Sequence, residues 1–255
     1  MPGLDRLRQD RARELVAGFL SAPSRGGWLP LDTTVDLLGC YGVPLADSIG
    51  VATEGAAAAA ATRFGSAVAL RADVPGLLRT SDARDVLTGL HGADEVRRGF
   101  RSLKESFGRL LAGVIVKPMV TGGVEVMMSV LQDQAVGPLV LFGIGGAAGD
   151  ELADRAARLA PLTDADTDDL IRSVRAAPRL LGRPGGPAAD LAGLRDLVPR
   201  ISRLAGDLPH IAELKPSLVI AGPDGARGLR GRVRVQPPGP GDACCANDGV
   251  SPCRP

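Results

Sequence analysis

The chain has 255 residues, enough for one large core or two lobes, and 45% of them are apolar while only 3% are aromatic. Its core must therefore be built from Ala, Val and Leu. Thirty basic residues against twenty-nine acidic ones give a net charge of +1, so no global field favours nucleic acid or a membrane surface. The N-terminus mixes both charge signs and has no apolar core, which excludes a signal peptide, and no apolar run is long enough to span a bilayer. Cytoplasmic residence follows as an expectation. Four cysteines (Cys40, Cys244, Cys245 and Cys253) lack both a disulfide framework and zinc spacing, and read as reduced thiols.

Residues 5–20 carry Leu7, Leu15, Val16, Phe19 and Leu20 at helical spacing. A second helix is expected from Asp32, as N-cap, to Tyr41, with Gly42 as its stop. Residues 43–51 read as extended. Thr53 opens an Ala-rich helix that ends near Gly65, and residues 66–72 form a buried strand. Residues 86–90 read as the next strand and 94–107 as an amphipathic helix with Val96, Phe100, Leu103 and Phe107 on one side. Strands follow at 114–120, 124–131 and 138–142, then helices at 164–176 and 190–205. Finally, Gly222-Pro223-Asp224-Gly225 separates two apolar runs and reads as a β-hairpin turn. With Pro223-Asp224 as the loop, Ser217 faces Arg230. Strand alternation puts Lys215 on the same face as Ser217. The pattern predicts an α/β fold, or α+β with mixed sheets. Its expected organisation is an N-terminal helical segment (1–30), a first lobe (31–110), a second lobe closing on the hairpin (111–236) and a disordered, Pro/Gly-rich tail (237–255).

Four stretches resemble one family. Leu38 to Leu45 is similar to L-L-x-x-Y-G-I-P, and Ala67 to Ala72 to P-V-A-L-K-A. Val114 to Met119, Gly123 to Val126 and Gly137 to Gly146 follow V-x-V-Q-P-M, G-V-E-x-I-x-G and F-G-P-x-V-x-F-G-x-G-G. Ala212 to Gly225 resembles A-E-L-D-x-N-P followed by A-x-D-G. In this order they resemble the ATP-grasp portion of ADP-forming acetyl-CoA synthetases, a module also found in GNAT-type bacterial protein acetyltransferases. The resemblance covers residues 11–235. It implies a two-lobed ATP-grasp fold, ATP as ligand, and a CoA-binding or GNAT-type companion supplying the rest of the acyl chemistry.

The resemblance also assigns positions. Arg71 stands where the family has a phosphate-reaching lysine; a guanidinium keeps the charge but changes the reach. Lys117, Pro118 and Met119 occupy the stretch whose backbone holds adenine, and Glu125 resembles a ribose- or phosphate-side carboxylate. Residues 78–86 align with L-H-K-T-D-x-G-G-V but lack the His, the Lys and both glycines, which removes a close backbone approach to phosphates. The family's two metal ligands fall at Ser217 and Arg230. A guanidinium in place of a carboxylate repels a divalent cation, so Mg²⁺ is not expected and no metal ligand is assigned. Lys215, Ser217 and Arg230 would instead grip an anion. No catalytic residue is identified. His91 and His210 read as structural or surface residues, and Arg227, Arg230, Arg232 and Arg234 as a solvated strand face rather than a nucleic-acid site. The leading expectation is a nucleotide-binding domain with impaired phosphoryl transfer. The alternatives are an active ligase subunit working with a separate CoA-binding subunit, or a non-catalytic regulatory or scaffold module.

Overall fold

The computed structural model describes residues 7–21, 26–74, 85–119, 123–145, 153–181, 189–215, 219–222, 225–228 and 231–237. The chain separates into two compact units, Ala46–Thr121 and Met1–Leu45 with Gly122–Pro255.

The smaller unit is a four-stranded sheet carrying two helices. Its strands, β2 (Ile49–Val51), β3 (Val68–Asp73), β4 (Val86–Leu90) and β5 (Gly113–Pro118), run in the order β2-β5-β3-β4. Helix α3 (Glu54–Phe64) starts where Thr53 accepts a hydrogen bond from the Ala56 N–H, and ends at Gly65, whose φ of 65° only glycine adopts without strain. Helix α4 is Gly92–Phe107. Val68, Leu70, Ala72, Val114 and Val116 alternate along β3 and β5 to meet Ala57, Ala61, Val96, Phe100 and Leu103 of the two helices. Strand β5 belongs to this unit, where it pairs with both β2 and β3.

The larger unit is built on an eight-stranded sheet. Its members are β1 (Gly27–Trp28), β6 (Val124–Asp133), β7 (Gly137–Ile144), β8 (Arg155–Leu159), β9 (Ile211–Lys215), β10 (Val219–Gly222), β11 (Gly225–Gly228) and β12 (Arg232–Val235). β6 is the hub, pairing with β7, β9 and β10. Every ladder between these strands is antiparallel, as is every ladder of the smaller sheet. Around it lie α1 (Gln9–Leu20), α2 (Leu31–Cys40), α5 (Asp164–Arg172), α6 (Ala177–Leu180) and α7 (Leu191–Asp207). The even-numbered residues Val124, Val126, Met128 and Val130 of β6 are buried with Leu38, Phe142, Leu194, Ile201 and Val233 in one core.

Local differences from the sequence reading have physical reasons. The N-cap of α2 is Pro30, not Asp32, whose carboxylate turns back to the neighbouring Thr33 N–H. The helix expected over 164–176 stops at Arg172, and Asp154, buried, accepts the backbone N–H groups of Arg175 and Ala176 at 2.8 Å each. Strand β8 was not expected. Arg-Ala-Ala-Arg-Leu has no β-branched residue, and its pairing with β7 alone is a tertiary choice. Cys40 is buried at the end of α2, and burial raises its thiol pKa. Cys244, Cys245, Cys253 and the expected tail lie outside the described residues, apart from Pro237. Among the described residues no helix is long and apolar enough to cross a membrane.

Candidate functional site

In the smaller sheet, helices cover one face only. The other face receives the alternate residues Ala69 and Arg71 of β3 and Ile115 and Lys117 of β5, which pair as Ala69↔Lys117 and Arg71↔Ile115. Two predicted residues, Arg71 and Lys117, therefore share the face away from the helices, two pairs apart along the ladder with Leu70↔Val116 between them. On its other side Arg71 pairs with Val86, and the residue before Val86, outside β4 and opposite Ala72, still brings its side chain to the guanidinium. That residue is Asp85. Its carboxylate Oδ2 lies 4.0 Å from Arg71 Nε, with side-chain exposures of 2% for Asp85 and 22% for Arg71. The Asp85 backbone carbonyl accepts the Ala72 N–H at 2.8 Å, which ties the start of β4 to β3.

Pro118 ends β5 opposite Val68, and the Met119 N–H donates to the Ala67 carbonyl at 2.7 Å. The backbone of this stretch is thus partly committed to the sheet. The Met119 N–H is therefore taken up within the sheet.

In the larger sheet the face away from the core carries the odd-numbered residues of β6. Glu125 is exposed there and pairs with Ile220 of β10. Its own carbonyl accepts the Gly145 N–H at 2.9 Å. Further along the same sheet, Glu213 and Lys215 stand two apart on β9, with Lys215 opposite Arg232 and Glu213 opposite Arg234. Lys215 Nζ contacts Glu213 Oε1 at 2.5 Å, and Arg234 Nε reaches Glu213 Oε2 at 3.6 Å. Trp28 of β1, opposite Arg234, lies beneath two cations. Its ring centroid is 4.3 Å from the Arg232 guanidinium carbon and 5.8 Å from Lys215 Nζ. Arg232 and Arg234 are therefore engaged side chains rather than a solvated fringe.

The hairpin register falls where the turn residues placed it: Val219↔Gly228 and Gly222↔Gly225 in β10–β11, and Lys215↔Arg232 in β9–β12. Ser217 and Arg230 themselves lie outside the described residues. Against β6, however, the alternation is interrupted. Val130 pairs with Leu214 and Val126 with Val219, so five steps on one strand match four on the other. Strict two-residue alternation does not carry from Lys215 to Val219.

His91 sits at the N-cap position of α4 and its N–H donates to Glu95, while the His210 carbonyl accepts the Gln236 N–H. Both are tied to structure through their backbones. Among the described residues no group of three or more His, Cys, Asp or Glu side chains converges as a metal cluster. Sequence reasoning missed Asp85 as a partner of Arg71, and Trp28, Glu213 and Arg232 as the company of Lys215. Alternation within β9 could have paired Glu213 with Lys215. The two-residue strand holding Trp28 has no such signal.

Each of the two sheets thus carries cations on the face away from its buried core residues, Arg71 and Lys117 in one and Lys215 and Arg232 in the other. Residues 22–235 match the family model described as ATP-grasp domain, and the chain belongs to that family. Within it, the chain is 29% identical over 231 residues to the acetate–CoA ligase [ADP-forming] I subunit beta of Pyrococcus furiosus, covering 89% of this chain and 98% of that one. It is 31% identical over 205 residues to the 4-hydroxybutyrate–CoA ligase [ADP-forming] of Nitrosopumilus maritimus, covering 78% of this chain but only 29% of that protein. A solved structure of the Ca. Korarchaeum cryptofilum dinucleotide-forming acetyl-coenzyme A synthetase 1, in complex with coenzyme A and Ca-AMPCP, superposes with a TM-score of 0.78 at 27% identity. It covers 89% of this chain and 100% of the other.

Proposed function

We propose that this chain is the nucleotide-binding member of an ADP-forming acyl-CoA ligase-type system, and that it binds nucleotide through its own cations while transferring phosphoryl groups poorly. The observation that carries this reading is the Lys215–Arg232 pair with Glu213 already bound to Lys215 and Arg234. Lys215 also stands at the D of the resembled motif A-E-L-D-x-N-P. Two cations and one neutralised carboxylate suit an anion and do not suit Mg²⁺, which wants free oxygen donors. Metal stabilisation of phosphoryl transfer contributes several kcal/mol, and about 4 kcal/mol corresponds to roughly a thousandfold in rate.

On this reading the nucleotide contacts offered by the smaller unit are Arg71, Lys117 and the Met119 carbonyl, and the larger unit offers Glu125. A CoA-binding companion, or a GNAT-type acetyltransferase in which the domain is regulatory, would complete the system in the cytoplasm. The second reading is a working ligase subunit, favoured by the near-complete coverage of a relative named as subunit beta. Calorimetry with ATP, in EDTA and then in magnesium, separates them. Binding in EDTA that magnesium leaves unchanged supports the first reading. Binding only with magnesium refutes it in favour of the second, and no binding in either leaves a scaffold.

A further inference from the structure

We infer that Asp85 is a built-in counter-anion for Arg71, so that a nucleotide phosphate must compete with this carboxylate before Arg71 can hold it. The inference rests on the nucleotide-binding reading and adds a residue that restrains the same site.

A carboxylate with a side chain 2% exposed is costly to keep charged unless a cation compensates it. The cation beside Asp85 is Arg71. Arg71 itself pairs with Val86, while Asp85, just outside β4, stands opposite Ala72, whose N–H donates to the Asp85 carbonyl and fixes that backbone in place; the carboxylate reaches the guanidinium from there. The carboxylate's buried Oδ1 accepts no hydrogen bond among the described residues, and Oδ2 is 4.0 Å from Arg71 Nε. Such an ion pair lets the guanidinium be shared with a second anion, at a cost in affinity.

The test is calorimetry of the full chain with ATP and with adenosine, in EDTA, for the wild type, Asp85→Asn, Asp85→Gly and the double variant Asp85→Asn with Arg71→Ala. Circular dichroism shows which variants fold, and Asp85→Gly stands in if Asp85→Asn does not. The expected result is ATP affinity raised tenfold or more by either Asp85 change, adenosine affinity unchanged, and the gain removed when Arg71 is lost. A wild type that binds ATP with the Asp85 variants equal or weaker overturns the inference while leaving the nucleotide reading in place. A gain that survives loss of Arg71, or that adenosine shares, overturns it as well. Failure of wild type and variants alike to bind ATP overturns both.

Discussion

Replacing Arg71 by methionine removes the charge while keeping much of the stem, and leaves the Asp85 carboxylate buried beside an apolar side chain. At 4.0 Å and an effective dielectric of about 20, two unit charges interact by about 4 kcal/mol. Breaking a buried pair from one side typically costs 3–5 kcal/mol. Arg71 keeps 22% of its side chain in water, which screens part of that, so a loss of about 3 kcal/mol is expected. If the chain unfolds as one cooperative unit, the midpoint falls by about 6–12 °C. If Ala46–Thr121 melts by itself, the drop is roughly twice as large. Thermal and urea unfolding followed by circular dichroism measure it. Asp85→Asn in the Arg71→Met background should recover at least half of the loss, since the orphaned charge is then gone. A loss below about 0.5 kcal/mol, or a double variant no more stable than Arg71→Met, would refute the claim that the two groups compensate each other.

Other expectations follow from single contacts. Tyr41, buried, donates its hydroxyl to Asp207 Oδ2 at 3.1 Å, and burial followed by the Asp207 charge raises its pKa. Tyr41→Phe should cost about 1–2 kcal/mol in urea unfolding, the Arg203–Asp207 pair still holding the carboxylate. An added Cβ at Gly143 would lie 2.6 Å from the Asp154 backbone carbonyl, so Gly143→Ala should push β8 from β7 and lower stability by about 1–3 kcal/mol. Hydrogen bonds from the Thr163 side chain and backbone hold the Asp166 carboxyl below its ordinary 3.8. Its contribution to α5 is therefore present above that value and lost as pH falls through the lower folded one. The difference in urea midpoint between wild type and Asp166→Ala should be constant above about pH 5 and close toward pH 2; a difference that persists at pH 2 would contradict this.

Much of the fold was legible because it is local. Thr53 and Gly65 bracket α3 as cap and stop, and the apolar stripe of α4 falls on Val96, Phe100 and Leu103. The turn Gly222-Pro223-Asp224-Gly225 set the register of β10 and β11. Where the reading failed, the deciding contact was distant. β8 is a strand because β7 offers it an edge, and α5 ends early where Asp154 takes the following N–H groups. The site followed the same division. Arg71, Lys117 and Glu125 fall on open strand faces as alternation requires, whereas their electrostatic company came from elsewhere.

Turn chemistry and residue period by themselves determined most of the elements and the hairpin register, since each depends on neighbours within a few residues, while the family was legible only as a resemblance of four motifs. Only the tertiary structure decided which charges meet. Asp85 reaches Arg71 because β4 lies beside β3 and the residue just before β4 turns its carboxylate to the guanidinium, and Trp28 reaches Arg232 and Lys215 because a two-residue strand adds to a distant edge. Charge compensation depends on distance in space, and the strand pairing that sets it is not written in the sequence on either side.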